Sequence, residues 1–221
     1  MARILVTGSN RGIGLELCRL LSGRGDTVVA VCRTTSKELD ALAGVDIEAG
    51  VDVTNEAAVA ALCDRHAGSV LDGLILNAGI LRRDLLGGLD FEQIRSQMEV
   101  NAFAPLRLAS SLLGHLSDGA RVAFITSRLG SLADNTAGGM YGYRMSKAAL
   151  NMAGRSLAID VRHRDISVGL LHPGYVRTEM TGGGGDVDTA EAAAGLIARY
   201  DALGGSNTGQ FWHATGAELP W

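Results

Sequence analysis

Arg3-Ile4-Leu5-Val6-Thr7-Gly8-Ser9-Asn10-Arg11-Gly12-Ile13-Gly14 decides how the rest of the chain is read. A short apolar run, Ile4 to Val6, enters a turn holding three glycines, and Ile13, Leu17, Leu20 and Leu21 then recur at helical spacing. That is a buried strand delivering the chain into a helix. Glycines let the backbone turn sharply and approach a ligand closely. The helix start beyond them offers free N–H groups and a positive dipole, which together suit a pyrophosphate. The spacing differs from Gly-x-Gly-x-x-Gly, so the loop alone does not identify a nucleotide site.

The same alternation continues. Val28 to Val31, Leu74 to Leu76, Val122 to Ile125 and Val168 to Leu171 are continuous apolar runs of the kind found in strands buried on both faces. Weaker strands are expected at 45–51 and 209–214. Helices are expected at 12–23, 36–43, 55–66, 91–115, 141–161 and 188–201. Strands alternating with helices and joined by right-handed crossovers predict an α/β fold: a doubly wound parallel sheet of about seven strands with helices on both faces. The 221 residues, 47% of them hydrophobic, are expected to form one domain over 1–221.

Charge and cysteine content narrow the partners. With 20 Lys+Arg against 24 Asp+Glu and no basic run, nucleic acid is not an expected partner. The opening residues lack the apolar core of a secretory signal, and no apolar stretch is long enough to cross a bilayer. A soluble, cytoplasmic protein is therefore expected, with no membrane association. Cys18, Cys32 and Cys63 form no Cys-x-x-Cys pair, and the five histidines are scattered. No disulfide framework and no metal site are expected.

Further candidates fall at the ends of the other strands. The second ends in Val31-Cys32-Arg33-Thr34, without the carboxylate that commonly binds adenosine ribose hydroxyls. Arg33 there, with Arg11 in the glycine loop, suits a 2′-phosphate, which favours NADP(H) over NAD(H). Asp52 and Val53 can meet the adenine edge, or Asp52 and Asn55 can shape the turn into the next helix. Asn77-Ala78-Gly79 permits close backbone approach to a ribose, and Asn77 can equally tie neighbouring strands. Gly182 to Gly185 follow Pro173-Gly174 past the end of a strand, as a lid or as a surface linker.

Tyr143 and Lys147 stand four residues apart on an expected helix, so both side chains share one face with Cβ atoms about 5–6 Å apart. A free phenol has a pKa of about 10, and a nearby ammonium would stabilise its phenolate. Tyr141 is the rival phenol, but its fourth neighbour is the uncharged Met145. Ser127 directly follows the strand ending at Thr126, whereas Ser131 lies further into the loop.

Thr7-Gly8-x-x-x-Gly12-x-Gly14, Asn77-Ala78-Gly79, Asn101, Ser127, Tyr143-x-x-x-Lys147 and Pro173-Gly174 together resemble the short-chain dehydrogenase/reductase superfamily. The likeness runs from residue 3 to about 180. Ser127 to Ser131, Met140 to Arg144 and Glu218 to Trp221 are similar to the branch containing C-factor and sniffer-type carbonyl reductases. The resemblance implies strand order 3-2-1-4-5-6-7 and a catalytic tetrad of Asn101, Ser127, Tyr143 and Lys147. It implies a nicotinamide cofactor held by Gly8, Ser9, Asn10, Arg11, Gly12, Ile13, Gly14, Arg33, Asp52, Val53, Asn77, Ala78, Gly79, Tyr143, Lys147, Pro173, Gly174, Val176 and Thr178.

In that scheme Tyr143 gives a proton to a carbonyl oxygen as hydride arrives, Ser127 hydrogen-bonds that oxygen, Lys147 lowers the phenol's pKa, and Asn101 holds a water beside Lys147. Leu129, Met140 and Tyr175 would border a small carbonyl or alcohol substrate. The chain departs from the usual pattern in having Leu76 before Asn77, which weakens a strand-tying contact, and in its short glycine-rich segment after Gly174. NADPH-dependent carbonyl reduction is expected, with NAD-linked alcohol oxidation and a nucleotide-binding signalling protein as alternatives. Ala148, Ala149, Ala153 and Gly154 would admit a second helix, and relatives pair there, so a homodimer or homotetramer is expected.

Overall fold

In each central strand, successive residues are apolar on both sides, because the pleat sends them alternately to two separate cores. A computed structural model describes residues 1–221. Strands β1 (Arg3–Thr7), β2 (Thr27–Val31), β3 (Val45–Glu48), β4 (Leu71–Leu76), β5 (Leu116–Ile125), β6 (Ser167–His172) and β7 (Gln210–His213) form one parallel sheet in the order β3-β2-β1-β4-β5-β6-β7. Leu5 pairs with Val29 on one side and with Leu74 on the other, so β1 is central.

The helices are α1 (Gly12–Gly23), α2 (Lys37–Asp40), α3 (Glu56–Arg65), α4 (Phe91–Met98), α5 (Ala104–Leu112), α6 (Tyr141–Asp160) and α7 (Thr189–Asp201). Leu5, Leu74, Phe124 and Leu170 pack with Leu62 of α3, Leu108 of α5 and Leu150 of α6. Ile4, Val6, Ile75 and Leu171 pack on the other face with Leu17 of α1, Leu39 of α2 and Leu196 of α7. No helix is long and apolar enough to cross a membrane.

Four sequence expectations need adjustment. The 36–43 helix is a single turn, α2, capped by Ser36 and ended before Gly44, whose φ is +72°. The helix expected over 91–115 is divided by a π-turn at Glu99–Phe103 and finishes in a 3-10 turn at Leu113–His115. Strand β5 begins at Leu116, six residues before its apolar run, and its register shifts where it first meets β4. Gly182 to Gly185 form a hydrogen-bonded turn rather than a loose segment: Gly182 and Gly183 donate back to Glu179 and Thr178, and Val187 then bridges to Val176.

Close packing also redirects one residue expected at a partner interface. Gly154 faces inward, where a β-carbon would run into Leu170 and lie 3.0 Å from Phe124. Gly154→Ala is therefore expected to destabilise the protein by about 1–3 kcal/mol despite alanine's better helix propensity. Urea unfolding checks this, and a variant as stable as the parent would contradict the packing argument.

Candidate active site

The carboxyl ends of β1, β2 and β4 open into a cleft of about 890 Å³. Its floor is made by satisfying backbone groups where the strands stop. The Thr7 hydroxyl accepts hydrogen bonds from the N–H groups of Asn77 and Ala78, both at 3.0 Å. The Asn77 amide donates to the carbonyls of Thr7 (3.0 Å) and Gly8 (3.3 Å). Asn77 thus ties β4 to β1.

Gly8 and Gly12 have φ of +67° and +56°, a region that favours glycine. At Gly8 a β-carbon would lie 3.0 Å from the Ala78 backbone. At Gly14 it would strike the Gly8 carbonyl, so Gly14 serves helix-to-strand contact. Ser9 is fully buried and donates to the Val31 carbonyl at 3.1 Å, which anchors the loop to β2 and turns its hydroxyl from the cleft. Helix α1 starts without a side-chain cap and without an acidic residue in its first turn. Its N–H donors and dipole remain available to an anion.

Gly8, Asn10, Arg11, Gly12, Ile13, Arg33, Asp52, Val53, Asn77, Ala78, Gly79 and Thr178 all line this cleft. Ser9 and Gly14 stand behind it. Asp52 is committed to the turn: one oxygen accepts from the Thr54 N–H (2.9 Å) and hydroxyl (2.7 Å), and those bonds hold its carboxyl below the usual range. Arg11 is ion-paired with Glu179 across the cleft mouth. Arg33 is exposed at the end of β2. Glycine backbone, helix start and arginine together fit a dinucleotide carrying phosphates.

Ser127, Tyr143 and Lys147 lie beyond the cleft lining, where β5 meets α6. Gly79 joins the two regions, because a β-carbon there would sit 3.2 Å from Asn101 Oδ1 and 3.8 Å from Lys147 Nζ. The π-turn carries Asn101 inward, fully buried. Its side chain accepts from the Ile80 N–H (2.8 Å) and donates to the Ile80 carbonyl (2.9 Å) and the Ser146 hydroxyl (3.0 Å). Ser146 in turn donates to the Tyr143 carbonyl at 2.8 Å. Asn101 therefore braces the loop after β4 against α6.

Lys147 is buried, with Nζ donating to the Ile125 carbonyl at 2.9 Å and standing 5.8 Å from the centre of the Tyr143 ring. Burial dominates both groups. It pushes the part-buried Tyr143 phenol up to about 12, with the Ser127 hydroxyl opposing only part of the rise. It also pulls the Lys147 ammonium down to about 8. In the free protein the phenol's net shift is upward, against the lowering expected from Lys147, because removal of the phenolate from water dominates. At neutral pH the pair is therefore a neutral phenol beside a charged amine.

Pro173 and Gly174 turn the chain after β6, and Val176 is buried on Val187. Thr178 faces Gly12, its methyl 3.7 Å from where a β-carbon would stand. Leu129 and Met140 are partly exposed and Tyr175 is 48% exposed. Ser131 is buried and bonds the Asp134 N–H, as a loop residue does. No three His, Cys, Asp or Glu side chains converge as metal ligands would. The sequence reading quoted Thr7 in the glycine motif without giving it a role and missed Asp84, Gln97 and Ser146. Apart from the bond from Ser146 to the Tyr143 carbonyl, their partners stand 15 to 71 residues away, so no local pattern announces them.

A family model described as short chain dehydrogenase matches residues 2–186. The chain belongs to that family. It is therefore an oxidoreductase of the short-chain type. It is 42% identical to the 1-hydroxy-2-glutathionyl-2-methyl-3-butene dehydrogenase of Rhodococcus sp. (strain AD45), over all of both chains. It is 44% identical to the C-signal protein of Myxococcus xanthus over 68% of this chain and 93% of that one. The carbonyl reductase Sniffer of D. melanogaster superposes over all of both chains with a TM-score of 0.94 at 29% identity. A carbonyl reductase from Pseudomonas aeruginosa PAO1 in complex with NADP does so with a TM-score of 0.85 at 37% identity.

The buried lysine generates a prediction about stability. Lys147→Met is expected to raise the unfolding free energy at pH 7 by about 1–2 kcal/mol, since burying an ammonium costs more than one hydrogen bond to Ile125 returns. The folded protein loses the Lys147 proton near pH 8, whereas the unfolded chain keeps it to 10.5. Between those values the parent gains stability with rising pH, and the methionine variant's advantage shrinks. Urea unfolding at pH 7 and near pH 10 measures both, and a less stable variant at pH 7 would contradict the burial argument.

Proposed function

We propose that this protein is an NADPH-dependent carbonyl reductase in which Tyr143 is the general acid. The observation that carries the reading is a chain of contacts: the Ser127 hydroxyl meets the Tyr143 phenol, Lys147 Nζ stands 5.8 Å from that ring's centre, and the same Nζ lies 3.8 Å from where a β-carbon would stand on Gly79, which lines the dinucleotide cleft. A reduced nicotinamide, when bound, supplies the hydride. The chain's own residues supply the rest. Tyr143 holds its proton through the neutral range and so meets a carbonyl oxygen as a donor rather than as a phenolate. Ser127 offers a second hydrogen bond to the same oxygen as negative charge grows there. Lys147 adds positive charge to that corner below about pH 8. Asn101 keeps the loop after β4 and the first turns of α6 in register.

For the adenosine end, Arg33 is the proposed 2′-phosphate ligand. Arg11 is engaged by Glu179 and contributes less than its place in the glycine loop suggests. Solved relatives with bound NADP or NADPH support this preference. Substrates are proposed to be small aldehydes or ketones, bordered by Leu129, Met140 and Tyr175. The 42% identity to a dehydrogenase of a glutathionyl alcohol favours one specific second reading, the same chemistry run toward oxidation.

Tyr143→Phe keeps the ring and removes the proton. It is expected to lower kcat for an aldehyde probe by at least about 100-fold while changing NADPH affinity far less. Turnover at the parent rate would refute the assignment. Arg33→Ala is expected to weaken NADPH binding by about 10- to 100-fold and to leave NADH binding nearly as it was. Fluorescence titration with both cofactors measures this, and equal losses for the two would contradict the phosphate role.

A further inference from the structure

Helix α6 begins without a cap of its own. Helices α2, α3, α4 and α7 each carry a capping Ser, Asn or Asp immediately before their first residue. The residue before α6 is Met140, which contributes no side-chain cap and sits in the left-handed region at φ +51°, after Gly138 and Gly139 at +64° and +63°. Glycines adopt that region freely, but Met140 carries its steric cost, and the first turn holds no acidic residue. Something outside the helix must hold this turn.

That something is Asp84, 57 residues earlier in the loop after β4. One carboxylate oxygen accepts the Tyr141 N–H at 2.5 Å and the other accepts the Gly142 N–H at 3.1 Å. The Asp84 carbonyl accepts the Met140 N–H at 2.9 Å. Three consecutive backbone donors are thus held by one residue. Its loop is held in turn by the buried Gln97, whose side-chain oxygen accepts the Arg82 N–H at 2.8 Å and whose amide packs against Gly142. A β-carbon at Gly142 would collide with that amide and lie 3.2 Å from the Asp84 carboxylate. Tyr143 is the next residue.

We propose that Asp84 is a positioning residue for the reaction: by clamping the Met140, Tyr141 and Gly142 N–H groups it sets where the Tyr143 phenol stands relative to Ser127 and the cofactor cleft. The proposal rests on the reductase reading of Tyr143. A carboxylate on a helix start is worth far more here than general stability, because the residue it locates is the proton donor and small misplacements of reacting groups are expensive. Asp84 itself touches neither substrate nor cofactor in this scheme.

The test uses Asp84→Ala, Asp84→Asn and, as a control, Asp188→Ala, which removes the cap of α7 away from Tyr143. With NADPH and 4-nitrobenzaldehyde as the probe, Asp84→Ala is expected to lower kcat by about 10- to 100-fold with the KM for NADPH unchanged. Asp188→Ala should leave kcat as it was despite a similar loss of stability. Asp84→Asn keeps the shape and one acceptor oxygen but turns an amide N–H toward a backbone donor. It should give an intermediate loss, and it carries the test if the alanine variant does not fold.

Hydrogen exchange by mass spectrometry gives a readout free of turnover: the amides at 141–143 should exchange faster in the Asp84 variants while those of the remainder of α6 stay protected. Unchanged kcat in an Asp84 variant with a frayed first turn would overturn the proposal. So would first-turn amides as protected without Asp84 as with it. A parent inert toward the aldehyde, but with protection that depends on Asp84, would instead fault the reductase reading and leave the clamp in place.

Discussion

The side chain of Asn101 is the bond on which the site depends. A fully buried primary amide must find partners or cost the fold its desolvation, and this one finds them in two places: both backbone groups of Ile80 and the hydroxyl of Ser146. The loop that leaves β4 beside the cofactor cleft is thereby joined to the helix that carries Tyr143 and Lys147. A regular α-helix through 91–115 would aim residue 101 differently. The π-turn at Glu99–Phe103 is a local loss of helical regularity at a point of functional use.

A second constraint is the low polarity of the corner where β5 meets α6. Lys147 brings a charge into it against a single carbonyl partner, and Tyr143 keeps its proton there more firmly than in water. These shifts run in opposite directions for the same physical reason, since burial disfavours whichever form is charged. The free protein is consequently set for donating a proton, and the stability spent on the lysine is consistent with use rather than with packing.

Much of this was legible in the sequence where one face or one spacing carried the information. The five central strands were visible because a parallel sheet covered on both sides leaves continuous apolar runs, and the strand order followed from the family resemblance and agrees with the observed sheet. The pairing of Tyr143 with Lys147 followed from helical spacing. The π-turn was not read within the 91–115 run, although Pro105, which has no N–H to donate inside a helix, stands just after it. The first half of β5, Leu116 to Arg121, is polar and read as loop. Asp84 lies in Arg82-Arg83-Asp84, which reads as a solvated charged run. Its hint was an absence: Gly138-Gly139-Met140 offers no capping residue to a helix that must start at Tyr141.

The most direct measurement of the central claim follows the hydride itself. A stoichiometric mixture of the protein, NADPH deuterated at the transferable C4 position and 4-nitrobenzaldehyde should yield 4-nitrobenzyl alcohol carrying one deuterium at the carbinol carbon, read by mass spectrometry. Alcohol formed without the label, or recovery of unreacted aldehyde across pH 6–8 where Tyr143 holds its proton, would contradict the account.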